Sequence, residues 1–337
     1  MAHTAYPEYH KALLDQSIYP SAKRRIKFEE TRHSYLYRTG DSVFLIRKTA
    51  PADSSPALRE LHARNALAVG KRWAPQVYVE VVPVVKTESG YALGQPGEVL
   101  DYALKLNQVS SHYWLHHLIP QGKFPPAAVS KVARYLAEHH REMAGMEVPP
   151  EAGRPETLRD LTEEVFYEVK KYINVTVAPT LVDTVTRPML KFIGDNRKLF
   201  LRRQKKGLIV ECHGAFVPEH IYIKGREIFA VSPLTVSRKF RILDVANDVA
   251  TLANDLQRLG AAEERELFVK RYAASARDRD IATMLPVYQT LQAMRSGLSY
   301  SEALSGEDLT DERRAEMGKM AQSYFQLAVQ ASREIPR

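Results

Sequence analysis

A single cysteine, Cys212, stands among 337 residues. That scarcity excludes a disulfide framework and any cysteine-rich zinc site. No apolar run approaches the roughly 18 residues that a bilayer-spanning helix needs. The opening MAHTAYPEYHKALLDQ holds no apolar signal core. The expectation is therefore a soluble, cytoplasmic chain with no membrane partner. Internal repeats, low-complexity tracts and a G-x-G-x-x-G loop are also missing. Charge is only mildly one-sided, 48 Lys+Arg against 40 Asp+Glu for a formal +8, which permits an acidic partner without demanding one. What is present is ordinary for a globular protein, 45% hydrophobic and 26% charged residues, in a length that suits one large domain or two lobes.

The first ~110 residues have strand character. Runs rich in β-branched or aromatic residues occur at 42–47, 77–82 and 101–106, each preceded by turn residues such as Thr39-Gly40-Asp41 or Gln95-Pro96-Gly97. Between the first two, 56–73 has helix-forming composition with Leu58, Leu61, Leu67 and Val69 on its apolar side. Beyond this the period becomes 3.6. Val129, Val132, Ala133, Leu136 and Ala137 mark one helix, and Leu158, Leu161, Val165, Val169 and Ile173 a second. Val245, Val249, Leu252, Leu256 and Leu259 mark a third, and Met317, Met320, Ala321, Tyr324 and Ala328 a fourth. A β island interrupts them, with one arm at 208–212 and a hairpin over 221–231 turning at Lys224-Gly225. The fold class expected is α+β, the two-lobed protein-kinase-like arrangement of a small β-sheet lobe and a large helical lobe. The small lobe is placed at 1–106 and the helical lobe at 107–337, with a catalytic-loop hairpin remnant over 207–232.

Several collinear segments sharpen that reading: Ala12-Leu13-Leu14-Asp15 with Tyr19-Pro20, Thr39-Gly40-Asp41, Trp73-Ala74-Pro75 leading to Val81-Val82-Pro83-Val84, Asp101-Tyr102-Ala103-Leu104-Lys105-Leu106, and Glu211-Cys212-His213-Gly214. In order and spacing the chain resembles a bacterial branch of the aminoglycoside phosphotransferase-like kinases, from about residue 11 to about 300. Some members of that branch carry a fused P-loop ATPase domain, which these residues do not include.

The resemblance implies a catalytic loop of the form His-Gly-Asp-x-x-x-x-Asn, whose Asp positions the acceptor hydroxyl and whose Asn holds magnesium. A further Asp after the next hairpin holds magnesium too. Catalysis of this kind is almost wholly positioning plus charge neutralisation by metal. This chain reads His213-Gly214-Ala215-Phe216-Val217-Pro218-Glu219-His220. The base position is Ala215, and the Asn position is His220, a poor ligand for a hard cation. The motif Phe240-Arg241-Ile242-Leu243-Asp244-Val245 fixes the register, and counting back puts Ser232 at the metal-binding Asp. In the small lobe the phosphate-binding lysine position falls near Leu45, with Arg47 on the same strand face as a substitute. Around the expected partnering Glu stand Asn65, Ala66 and Leu67, and Glu60 lies nearly two turns earlier. The strand with Asp101, Tyr102 and Leu104 is read as hinge-like, offering backbone hydrogen bonds to an adenine. Asp244 and Asp248 match the family's helix-starting acidic pair, expected to cap that helix and brace the loop around His213.

Other features read more plainly. His116-His117 and His139-His140 point about 100° apart on a helix and are taken as rim or surface histidines rather than chelating pairs. Cys212 reads as a small buried apolar residue. Glu219 and His220 are sequence neighbours whose side chains point apart, so no metal site is expected of them. The basic run with Arg197, Lys198, Arg202, Arg203, Lys205 and Lys206 reads as a helix anchored by Leu199 and Phe200 with a solvated face, or as an anion patch.

Together these give a catalytically inactive kinase fold acting as a regulatory or scaffolding partner of another protein. No cofactor is required by this reading; ATP binding is compatible with it, and magnesium and nucleic acid are not expected. The rival readings are a small-molecule phosphotransferase using displaced groups such as Glu219 or Asp244, and an anion- or nucleic-acid-binding module acting through the basic run.

Overall fold

The computed structural model describes residues 6–19, 25–31, 34–48, 55–231, 238–305 and 309–336. The chain divides into two compact units, Met1–His112 with Phe229–Thr235, and Tyr113–Ile228 with Val236–Arg337.

The first unit opens with a short helix, α1 (His10–Leu13), and is built on a six-stranded antiparallel sheet. Its strands are β1 (Lys27–Glu30), β2 (Ser34–Arg38), β3 (Ser42–Arg47), β4 (Tyr78–Thr87), β5 (Gly90–Leu93) and β6 (Glu98–Asn107), in the order β1-β2-β3-β6-β4-β5. Between β3 and β4 runs α2 (Pro56–Trp73), started by Ser55, whose Oγ accepts from the Leu58 amide, and by Pro56 in the first turn. The core gathers Tyr9, Leu13, Tyr37, Phe44, Ile46, Val84 and Ala103. Helix α2 does not bury the leucines that composition suggested. Leu58 and Leu61 are exposed, and Arg59 and Glu60 make the contacts instead. Arg59 donates to the Leu100 carbonyl at 2.5 Å and Glu60 accepts from the Tyr102 hydroxyl at 2.9 Å, so polar groups reach β6 where apolar ones were expected. The far end of α2 lies close against β4, since a Cβ on Gly70 would run into the Tyr78 ring.

The second unit is helical, with α3 (Leu115–Leu118), α4 (Pro126–Met143), α5 (Pro155–Lys170), α6 (Leu181–Asp195) and α7 (Arg197–Lys205) first. Short strands follow: β7 (Ile209–Glu211), the hairpin β8 (Ile221–Lys224) and β9 (Glu227–Ala230), and β10 (Ile242–Asp244), which pairs with β7. The hairpin turns on Gly225, whose φ of +57° suits a residue without Cβ. The chain ends in α8 (Ala246–Arg258), α9 (Ala262–Ala276), α10 (Ile281–Ala303) and α11 (Asp311–Arg333). Helix α8 is the centre of the unit. Every residue from Ala246 to Leu256 is buried, as a helix enclosed on all sides must be. It lies against α9 and α10, and α10 runs along α11 so closely that a Cβ on Gly297 would stand 2.6 Å from the Phe325 ring. Among the described residues no helix is long and apolar enough to cross a membrane.

Candidate functional site

The segment matching the family's catalytic loop follows β7. Cys212 closes that strand, its amide donating to the Arg241 carbonyl at 2.7 Å and its thiol to the Leu243 and Asp244 carbonyls at 3.6 Å. Burial pushes the thiol well up, so it stays protonated. The chain then turns sharply at Gly214, with φ +82°, which a residue bearing a Cβ adopts only with strain. The turn aims two successive amides at one carboxylate. His213 N–H donates to Asp248 Oδ2 at 2.6 Å and Gly214 N–H to Asp248 Oδ1 at 2.8 Å. The buried His140 ring adds a third contact, Nε2 to Asp248 Oδ2 at 3.1 Å, and its Nδ1 meets the Tyr272 hydroxyl at 2.7 Å. Burial pushes the Asp248 carboxyl up, but the bond from His140, the charges of His140 and His213, and the Gly214 amide outweigh it and hold the group below its ordinary value.

This corrects the reading of His140 as a rim or surface histidine: α4 turns it into the core, where it orients a buried carboxylate. His140, Cys212 and Asp248 bring three ligand-type atoms within 4.8 Å of one another. All three are engaged by hydrogen bonds within the protein, His140 with Asp248 and Tyr272 and the thiol with the Leu243 and Asp244 carbonyls.

Beyond Gly214 the loop folds on itself. The carbonyl of Ala215 accepts from the Val217 amide at 2.9 Å and from His220 Nδ1 at 2.9 Å, and the His220 amide donates back to the Val217 carbonyl. Burial lowers the His220 pKa, so its ring is neutral at pH 7. The His213 and His220 rings lie 5.9 Å apart. Pro218 accepts from the His116 amide at 3.1 Å, tying α3 to the loop. Burial and His117 lower the His116 pKa while Glu219 pulls it up. His117 is exposed. Ser232 lies outside the described residues.

Asp244, four residues before Asp248, is committed elsewhere. Its oxygens accept from Arg203 Nε at 2.5 Å and NH2 at 2.8 Å, and Oδ1 also accepts from the Ala246 amide at 2.9 Å. The same guanidinium donates to both oxygens of Asp278. All three side chains are enclosed, so Arg203 is a core residue and not part of a solvent-facing anion patch. Its neighbours on α7 and just after it are mostly paired as well: Arg197 with Glu156, and Arg202 and Lys206 with Asp280. Lys198 and Lys205 have no ion-pair partner among the described residues.

In the first unit Arg47 ends β3 and is exposed. The hinge-like role given to 101–106 is not what the sheet shows. From Ala103 onward β6 is paired on both sides, Leu104 opposite Leu45 and Val81 and Ala103 opposite Ile46 and Val82. A strand inside a sheet spends its backbone groups on its two neighbours, leaving none over that stretch for an adenine. The side chains serve the core: Asp101 accepts from the Tyr9 hydroxyl at 2.7 Å and pairs with Arg59 at 3.3 Å, Tyr102 reaches Glu60, and Leu104 is buried.

Sequence reasoning passed over a second group in the helical unit. Asp255, buried on α8, accepts from the Tyr324 hydroxyl and from Arg258 Nε at 3.4 Å. Burial and the nearby Glu219 charge raise its pKa to about 6. Tyr300 stacks on Tyr324 with ring centres 5.7 Å apart.

No family model matches the chain. Uncharacterized proteins of Mycobacterium bovis and Mycobacterium tuberculosis are 22% identical over 273 residues, 80% of this chain and 53% of theirs. The chain thus spans about half the length of the curated relatives it matches. Among solved structures, a choline/ethanolamine kinase family protein from Mesorhizobium loti superposes with a TM-score of 0.55 at 14% identity, covering 96% of this chain and 98% of its own. A putative aminoglycoside phosphotransferase from Ralstonia eutropha gives 0.54 at 14%, covering 98% and 99%. Choline kinase from Cryptosporidium parvum gives 0.54 at 11%, covering 95% and 94%. The fold is that of the two-lobed, protein-kinase-like phosphotransferases. Within that class it is the aminoglycoside phosphotransferase-like form, shared with the choline and ethanolamine kinases.

Proposed function

We propose that this chain is a kinase-fold binding protein that has lost magnesium-dependent phosphoryl transfer and acts as a regulatory or scaffolding partner of another protein. One observation carries the reading: the loop scaffold is kept while its working carboxylate is gone. Asp248 grips the amides of His213 and Gly214, and the next side chain is the methyl group of Ala215. Losing one oriented group from a preorganised site typically costs about 10²–10³-fold in rate. The donor set does not suit magnesium either, a hard ion that wants oxygen. His220 offers a ring whose Nδ1 is already bonded to the Ala215 carbonyl, and Asp244 has given its oxygens to Arg203 and the Ala246 amide.

The second reading is a small-molecule phosphotransferase working through displaced groups. It is favoured by the acidic and aromatic group of Glu219, Asp255, Tyr300 and Tyr324 and by fold neighbours named as choline kinase and aminoglycoside phosphotransferase. Its base would be Glu219; Asp244, the displaced ligand considered with it, is engaged in the core.

Calorimetric titration of the full chain with ATP, with and without magnesium, separates the two, together with an assay for ADP release. The binding-protein reading expects no gain from magnesium and no ADP above background. Magnesium-dependent binding with turnover that Glu219→Gln abolishes would overturn it.

A further inference from the structure

Arg295 projects from α10 with its guanidinium carbon 3.8 Å from the centre of the Phe240 ring. Its NH1 donates to the Gln292 side-chain carbonyl at 2.9 Å, and no carboxylate pairs with it among the described residues. Gln292 is fixed from behind as well, its Nε2 donating to Oδ1 of Asn247. That leaves Asn247 Nδ2, on a side chain with no exposed surface, without a hydrogen-bond partner among the described residues. The row therefore runs from the guanidinium through Gln292 to Asn247 and ends in an unmet amide donor at its buried end.

A mostly buried cation with no counter-ion is costly, and so is an unmet buried amide. Burial pulls the Arg295 pKa down to about 10, with Asp248 pulling it back up, and the group is still cationic at neutral pH. Asp248 does not serve as its partner, because its oxygens accept from His213, Gly214 and His140. The Phe240 ring covers one face of the guanidinium and gains from the cation–π attraction. Of the five N–H donors four remain, in the planar fork that matches an oxyanion.

We propose that Arg295, with Gln292 and Asn247 behind it, forms an oxyanion-binding site in the helical unit that takes a phosphate or carboxylate group. An anion on the open edge of the guanidinium would meet both the unpaired charge and its remaining N–H donors, while Gln292, itself held by Asn247, fixes the fork from behind. The site requires neither nucleotide nor metal, so it stands or falls separately from the loss of phosphoryl transfer.

The test is calorimetric titration of the full chain with inorganic phosphate and, separately, with acetate, at constant ionic strength and without ATP or magnesium. One saturable site is expected, weakened at least tenfold in Arg295→Gln and unchanged in Lys198→Gln. Arg295→Lys, which keeps the charge and loses the fork, should fall between, and it carries the comparison alone if the Gln variant does not fold. Preference for phosphate assigns a phosphate ester as the natural group, and preference for acetate a carboxylate. The proposal is overturned by no saturable binding of either anion, by unchanged binding in the Arg295 variants, or by an equal loss in Lys198→Gln.

Discussion

Arg203 and Asp244 are joined by two parallel hydrogen bonds, Nε to Oδ2 at 2.5 Å and NH2 to Oδ1 at 2.8 Å, with the arginine side chain wholly enclosed. Asp278 occupies the other edge of the same guanidinium. The cluster joins α7, β10 and the segment after α9 through one cation. Removing that cation leaves two carboxylates buried and facing each other. Arg203→Met should destabilise the protein by about 3–5 kcal/mol, whereas Lys198→Gln on the same helix should stay within about 0.5 kcal/mol. Urea denaturation of both variants gives the comparison; equal effects would remove Arg203 from the core.

Asp248→Asn tests the grip on the loop. An amide can accept from only one of the two N–H groups and turns its own N–H toward the other. Hydrogen exchange at His213 and Gly214 should speed by at least tenfold while β6 in the other unit keeps its protection. Unaltered exchange at both residues would mean that the loop is held by something else.

Asp255 sets a pH dependence with a definite sign. Its folded pKa, about 6, lies above the ordinary 3.8. Between those values the unfolded chain has released the proton and the folded chain has kept it, so stability falls as pH rises through this window. Two units correspond to roughly 3 kcal/mol. Asp255→Asn should therefore gain stability relative to wild type between pH 4 and pH 7, by up to that amount less the value of the lost Tyr324 and Arg258 contacts. A constant difference across this range would contradict the raised value.

Restoring the family's residues asks whether the machinery can be rebuilt. The triple variant Ala215→Asp, His220→Asn, Ser232→Asp should bind ATP at least tenfold tighter with magnesium than without, while the natural chain shows no such difference. Calorimetry on both proteins checks this, and no gain would show that nucleotide entry, not metal ligation, limits binding.

Much of the helical unit was legible because burial writes a period into a sequence. The stripes of α4 and α5 face the core as spaced. Helix α8 kept its stripe although it is buried all round, and its polar residues gave no hint that they too are enclosed. Helix α10, buried at every residue from Met284 to Met294, offered no one-sided stripe to find. The first unit was legible as strands but not in their pairing. Strand order decides whether a backbone is free, and no local pattern in 103–106 reveals that β3 and β4 take both its edges. Arg203 sits in a run of five other cations, and its partners lie 41 and 75 residues away. Nothing nearby in sequence distinguishes it from Arg202, which is half exposed and pairs at the surface. The departures at Ala215 and His220 could be read because the chemistry of single side chains, rather than packing, decides what those positions can do.

The grip of Asp248 is on main-chain amides, and main-chain amides are the same whatever side chains the loop carries. The shape of 213–215 is thus inherited independently of its chemistry. A substitution at Ala215 leaves those two amide bonds untouched, while a change at Asp248 or Gly214 is felt at once. A saturation library scored only for folding should show tolerance at Ala215 and intolerance at Asp248 and Gly214. What holds the loop and what the loop presents to a ligand are thus separate positions, and the second can be re-engineered without touching the first.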